Sequence, residues 1–307
     1  MEQRKHYNTL TEYYQKKWKC KVAKIALNAS FTCPNRDGTK GWGGCTYCSK
    51  QGSGDTAGNP LYTLQEQYLE IKAKIVHKWP NALFIPYLQA YSNTYAPLER
   101  LKEIYEGILM LDPTHIVALA IATRPDCFTN ELYDYLGELN QRKPVIIELG
   151  LQTANELTAK IINRCCTNEE LIFCVKELRK RRIEVILHII NGLPNETKED
   201  MINTIDFINQ LDIQGIKFHS LLLLKDTVLY QNYLKEPFPI LSLEEYCSIV
   251  VQQIARLKPN IIIHRLSADG IAEDIMLPKW PMKKLVVMNE IDKLCKKLNI
   301  YQGDKFK

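Results

Sequence analysis

The sequence has no apolar run near the ~20 residues that cross a bilayer, which argues against a transmembrane helix. Its first residues, MEQRKHYNTLTEYYQKKWK, also lack the apolar stretch of a signal peptide, so a cytoplasmic chain is expected. Glycine and proline number only 14 each in 307 residues and nowhere gather into a linker. One domain over 1–307 is therefore expected, with a core of about 20–225 and an extension of about 226–307. Hydrophobic residues at 46% and charged residues at 24% suit a globular protein with a sizeable core. Charge of one sign is scarce except at the ends. Residues 1–24 and residues 278–307 each carry +5, so a net charge of +5 leaves the body between them at −5. Basic ends can form a phosphate-binding surface or serve only as solvated helix faces.

Cysteine is not scarce. In a reducing compartment its ten copies do not read as a disulfide framework, and clustered ones point to metal or redox chemistry. Seven lie apart, with burial as small hydrophobes the default. The other three share the glycine-rich stretch FTCPNRDGTKGWGGCTYCSK as Cys33-x11-Cys45-x2-Cys48. Three thiolates can hold a [4Fe–4S] cluster with one iron left open. They can also hold zinc if Cys20 is the fourth ligand. Free thiols are the least favoured reading, because exposed cysteines in a loop are an oxidation hazard. Cys20 precedes the first strand and the loop follows it, which favours the cluster.

Nearly continuous Val/Ile/Leu runs recur at 22–28, 83–90, 115–123, 144–152, 184–192, 215–224 and 260–268, as buried parallel strands require. Amphipathic stretches such as 64–79, 168–182 and 198–212 lie between them. Repeated strand-then-helix units predict an α/β fold: a partial TIM-type (βα)6 barrel with a C-terminal strand and helix extension, or else a doubly wound sheet. Each run ends in polar or cysteine residues, which favours a barrel with its chemistry at the C-terminal rim. A helix over about 283–298 is expected to bury Leu285, Met288, Ile291, Leu294, Cys295 and Leu298.

The motifs CPNRDGTKGWGGCTYC, QAYSNT, TRPDC, ELGLQT, INGLP, IKFHSL and HRLSA, taken in order, resemble the radical S-adenosylmethionine enzymes. Within that superfamily they resemble the small YhcC/YtqA-type proteins of the Elp3-like branch, over about residues 8–300. The resemblance implies a [4Fe–4S] cluster on Cys33, Cys45 and Cys48 whose open iron binds S-adenosylmethionine. One electron, from a flavodoxin- or ferredoxin-type donor, then releases a 5′-deoxyadenosyl radical that abstracts a substrate hydrogen.

For the cofactor the resemblance implies Tyr47 beside the cluster and adenine, and Gln89, Ser92 and Asn93 near the methionine ammonium. It also implies Glu148 and Gln152 holding the cofactor, Arg164 on its carboxylate, and His188 and Ile190 at the loop after strand five. Relatives often read Arg-Gly-His where this chain has Arg164-Cys165-Cys166, and some have Asp at His188. From their place on the rim, Cys127, His219 and His264 are expected to meet substrate. The branch implies tRNA as partner, through the basic termini, and a change of the wobble-uridine side chain from carboxymethylaminomethyl to aminomethyl. A small metabolite as substrate, or a zinc-stabilised RNA-binding module, are the competing readings.

Overall fold

The computed structural model describes residues 5–306. Seven strands form one sheet: β1 (Val22–Leu27), β2 (Leu83–Leu88), β3 (Leu119–Thr123), β4 (Val145–Gln152), β5 (Glu184–Asn191), β6 (Gly215–Ser220) and β8 (Ile262–Arg265). They lie in the order β1-β2-β3-β4-β5-β6-β8, and every neighbouring pair is parallel. The sheet curls into a half-barrel, and among the described residues β1 and β8 are not paired to each other. The continuous run at 215–224 is in fact split. After β6 the chain turns into β7 (Leu223–Leu224), which pairs antiparallel with β9 (Ile275–Leu277). Periodicity cannot register such a break, because both segments are apolar.

The helices are α2 (Leu64–Lys78), α3 (Leu98–Met110), α4 (Asn130–Arg142), α5 (Glu156–Ile161), α6 (Asn168–Lys180), α7 (Lys198–Ile208), α8 (Val228–Lys235), α9 (Leu243–Arg256) and α10 (Lys284–Leu298), with α2, α4 and α6 against β1, β4 and β5 and α8 against β7. Capping boxes fix where several begin, pairing Thr63 with Glu66, Thr167 with Glu170, Thr197 with Asp200 and Ser242 with Glu245. The gap between the edge strands is closed by α1 (Leu10–Trp18), whose entry bridges Thr9 to Ile263. From α1, Tyr14 enters a small inner core with Val22, Ile85, Ile146 and Ile186. Helix α10 packs on α9 through Val287, Ile291 and Cys295, while Leu285, Met288 and Leu298 are exposed. Of the expected face, Ile291 and Cys295 are buried and Leu294 partly so, with Val287 completing the i, i+4 stripe in place of Leu285, Met288 and Leu298.

Residues 6–8 meet the segment 292–302. Tyr7 donates to Asp292 at 2.7 Å, the Asn8 amide donates to Gln302 Oε1 at 2.9 Å, and His6 stacks on Tyr301. Where β6 starts, Gly215 makes room for an imidazole: a Cβ there would come 2.6 Å from His264 Nε2 and 2.7 Å from Ile186 Cδ1. Gly215→Ala should therefore lower stability by ~1–3 kcal/mol, as overpacking of a rigid site does. Chemical denaturation of the two proteins measures it.

Candidate active site

The cysteine loop is a chain of tight turns. Arg36 N donates to Cys33 O, Gly44 N to Asn35 O, and Cys48 N to Cys45 O. The segment after β4 holds it in place. Asn163 donates to Gly44 O at 2.8 Å, Asn35 donates to Asn163 O at 2.6 Å, and Thr46 N donates to Ile162 O. Cys33, Cys45 and Cys48 thereby face one cavity of about 270 Å³ at the C-terminal ends of the strands. Its lining contains no fourth cysteine. Cys20 lies before β1 and lines a different cavity, so the loop thiols have no zinc-completing thiolate from it. Among the described residues no three His, Cys, Asp or Glu side chains gather closely enough for a single ion. Three thiols around a shared space fit a cluster that keeps one iron open.

Two guanidiniums attend those thiols. Arg36 Nη2 donates to Cys48 Sγ at 3.4 Å, and its carbon lies 5.2 Å from the Tyr91 ring. Arg124 is clamped by Asp126 at 2.9 and 2.8 Å and donates to Arg164 O, with its charge felt at Cys45. Burial, with Cys48 beside it, pushes the Cys45 thiol up to about 11, so metal uptake there must displace a proton. Arg36, Asn35 and Asn163 escaped sequence reasoning, since nothing in their spacing marks them as thiol partners.

Several expected residues line this cavity: Tyr47, Gln89, Ser92, Gln152, His188, Ile190 and His219. Gln152 sits at φ 66°, a costly conformation for a non-glycine residue, on a β-bulge. That conformation folds its side chain back over Gly150, where a Cβ would lie 2.5 Å from Gln152 Nε2. Ser92 Oγ is buried with no hydrogen-bond partner among the described residues, as is His219 Nε2. Tyr47 packs with Leu193, Leu221 and Leu229.

Others are placed differently. Arg164 touches the wall, but its guanidinium is spent on the chain itself: Cys166 O at 2.7 Å, Leu151 O and Thr153 O at 2.8 Å, Asn168 at 3.0 Å and Glu156 at 3.4 Å. It braces the loop after β4 and has no donor left for a ligand carboxylate. Asn93 lies behind the wall, donating to Leu88 O and Ala122 O. Cys127 is buried outside the lining, and burial and Asp126 push its thiol upward. His264 lines the second cavity instead of the first.

Glu148 lies deep in the barrel, where its carboxylate is shared by Lys24, Lys217 and His188. Burial opposes its ionisation, yet Lys217, Lys24 and His188 outweigh burial and hold it well below the usual carboxylate range. Burial and Lys217 bring His188 down to about 4, so it is neutral at pH 7. Both lysines lie over Tyr87, at 4.8 and 4.7 Å from its ring centre.

The radical SAM superfamily pattern matches residues 31–208, and the Radical SAM C-terminal domain matches residues 213–297. The chain is 43% identical to YtqA of Bacillus subtilis over 302 residues, covering 98% of this chain and 93% of that protein. It is 32% identical to YhcC of Escherichia coli K12 over 274 residues, covering 89% and 87%. In fold it is similar to an Elp3 of Methanocaldococcus infernus lacking its N-terminus, with a TM-score of 0.69 at 17% identity. That alignment covers 92% of this chain and 64% of the Elp3 chain, so the chain spans less than two thirds of that protein. The chain therefore belongs to the radical S-adenosylmethionine superfamily and works with the [4Fe–4S] cluster and S-adenosylmethionine that its members use.

Proposed function

We propose that this radical enzyme acts on tRNA, at the side chain of the wobble uridine, changing a carboxymethylaminomethyl group to aminomethyl. The observation that carries an anionic partner is the contact between the two basic ends: residues 6–8 are hydrogen-bonded to the segment 292–302. Two +5 segments are thus joined on one molecule whose body is acidic, an arrangement that favours a polyanion over a small neutral metabolite.

Cys33, Cys45 and Cys48 would hold the cluster. When bound, the cluster and S-adenosylmethionine supply a 5′-deoxyadenosyl radical, with the electron coming from a flavodoxin- or ferredoxin-type donor. The chain's own part is orientation and exclusion of water. Tyr47 and Ile190 offer apolar walls, with Gln89, Ser92 and Gln152 beside them in the lining. Neutral His188 and His219, with ring centres 5.2 Å apart, stand on the side toward β6, where substrate would enter.

Filter binding of bulk tRNA at 50 and 200 mM salt tests the partner, and nucleoside analysis of cells with and without the gene tests the reaction. With several phosphate contacts, affinity should fall by about 10²-fold or more between the two salts. Carboxymethylaminomethyluridine should accumulate where the gene is absent. Unchanged nucleosides together with salt-insensitive binding would sink the tRNA assignment.

A further inference from the structure

A second cavity of about 360 Å³ lies under α1 and meets the first along Tyr87, Gln89, Lys217 and Arg265. Its floor is cationic. Lys24 and Lys217 share the single carboxylate of Glu148. Among the described residues Arg265 pairs only with Asp269, at 3.7 Å, and Asp269 is shared with Lys284. Three cations of the lining, Lys24, Lys217 and Arg265, thus stand against Glu148 and an Asp269 that the more exposed Lys284 also claims. Among the described residues His264 Nδ1 and His219 Nε2 are buried with no hydrogen-bond partner, and their residues line the second and the first cavity respectively. Buried polar atoms of this kind carry a desolvation cost that a bound ligand removes. Positive charge in excess, an Arg fork with donors to spare and imidazole nitrogens without partners all match an oxyanion.

We propose that the junction of the two cavities is a carboxylate-binding site, formed by Lys217 and Arg265 with Lys24, His219 and His264 around them. The reading deepens the proposed function, on which it rests for the nature of the ligand: the carboxylate is that of the substrate side chain, drawn below the reacting carbon. A monocarboxylate suits it better than phosphate. Burial, with Lys24 and Arg265 alongside, brings Lys217 down to about 7, so at neutral pH this lysine carries only part of its charge, which suits a singly charged anion.

The test is ligand-observed NMR on the full-length, cluster-loaded protein at pH 7, titrated with glycolate and separately with inorganic phosphate. Glycolate should bind saturably, and Arg265→Gln and Lys217→Met should each weaken it about tenfold or more. Arg265 is partly exposed, so its variant remains informative if Lys217→Met is unstable; Arg265→Lys should recover part of the affinity. No saturable glycolate binding, or binding unchanged in Arg265→Gln, overturns the site. Phosphate binding more tightly than glycolate overturns the carboxylate assignment. The assay needs neither radical nor tRNA, so its failure is distinct from failure of the tRNA reading.

Discussion

Reconstituted without oxygen in the presence of iron and sulfide, the wild-type chain should turn brown with a broad band near ~400 nm, and Cys45→Ala should lose both the band and the cleavage of S-adenosylmethionine. Cys45 is the ligand with least slack. Asn35 Nδ2 stands 3.6 Å from its sulfur, Arg124 faces it across the cavity, and Asn163 fixes the backbone of neighbouring Gly44. With two thiolates left, the cluster has no substitute cysteine in the lining to recruit. Cys20→Ala is the matching control and should keep both band and activity, because Cys20 opens onto the other cavity. A colourless wild type holding one zinc, or a Cys20 variant that loses the band, would contradict this account of the loop.

The same loop shows how far the sequence could be read. A C-x2-C pair preceded by a distant cysteine is visible in one dimension, and so are parallel strands that run apolar end to end. The partners that orient the thiols are not. Asn35 and Arg36 look like turn residues, and only the folded loop brings them against Asn163 and Cys48. Arg164 shows the opposite limit: an arginine at the rim is expected to meet a ligand, and the sequence gives no sign of the five acceptors of its own chain that surround it. Periodicity reports which face is buried and is silent on what a buried polar group touches. A clue to the interior was nevertheless present. Lys24 in VAKIAL, Glu148 in VIIELGLQ and Lys217 in GIKFHS are charges within otherwise apolar strands, which burial permits only when they are paired.

That pairing leads to the second large effect. Glu148→Ala should destabilise the protein by ~3–5 kcal/mol, the scale for removing one partner of a buried ion pair. The reason is asymmetry: the variant leaves Lys24 and Lys217 buried together with Tyr87 and His188 but with no carboxylate between them. Removing a lysine as well should restore part of the loss, so Glu148→Ala with Lys217→Met should be less damaged than the two single variants added together. The pH dependence follows from Lys217, which burial already brings down to about 7 against an ordinary 10.5. A lysine lowered on folding imposes a cost that is full below its folded pKa and fades as pH rises toward the unfolded value. Losing Glu148 lowers that folded pKa further, so the gap to wild type opens as pH falls through about 7 and is largest below the variant's lowered value. Above pH 7 Lys217 is neutral in both proteins and the gap narrows. Urea denaturation of wild type and variant at pH 6 and pH 9 measures it; an equal or larger gap at pH 9 would mean that Glu148 acts through something other than the charge of Lys217.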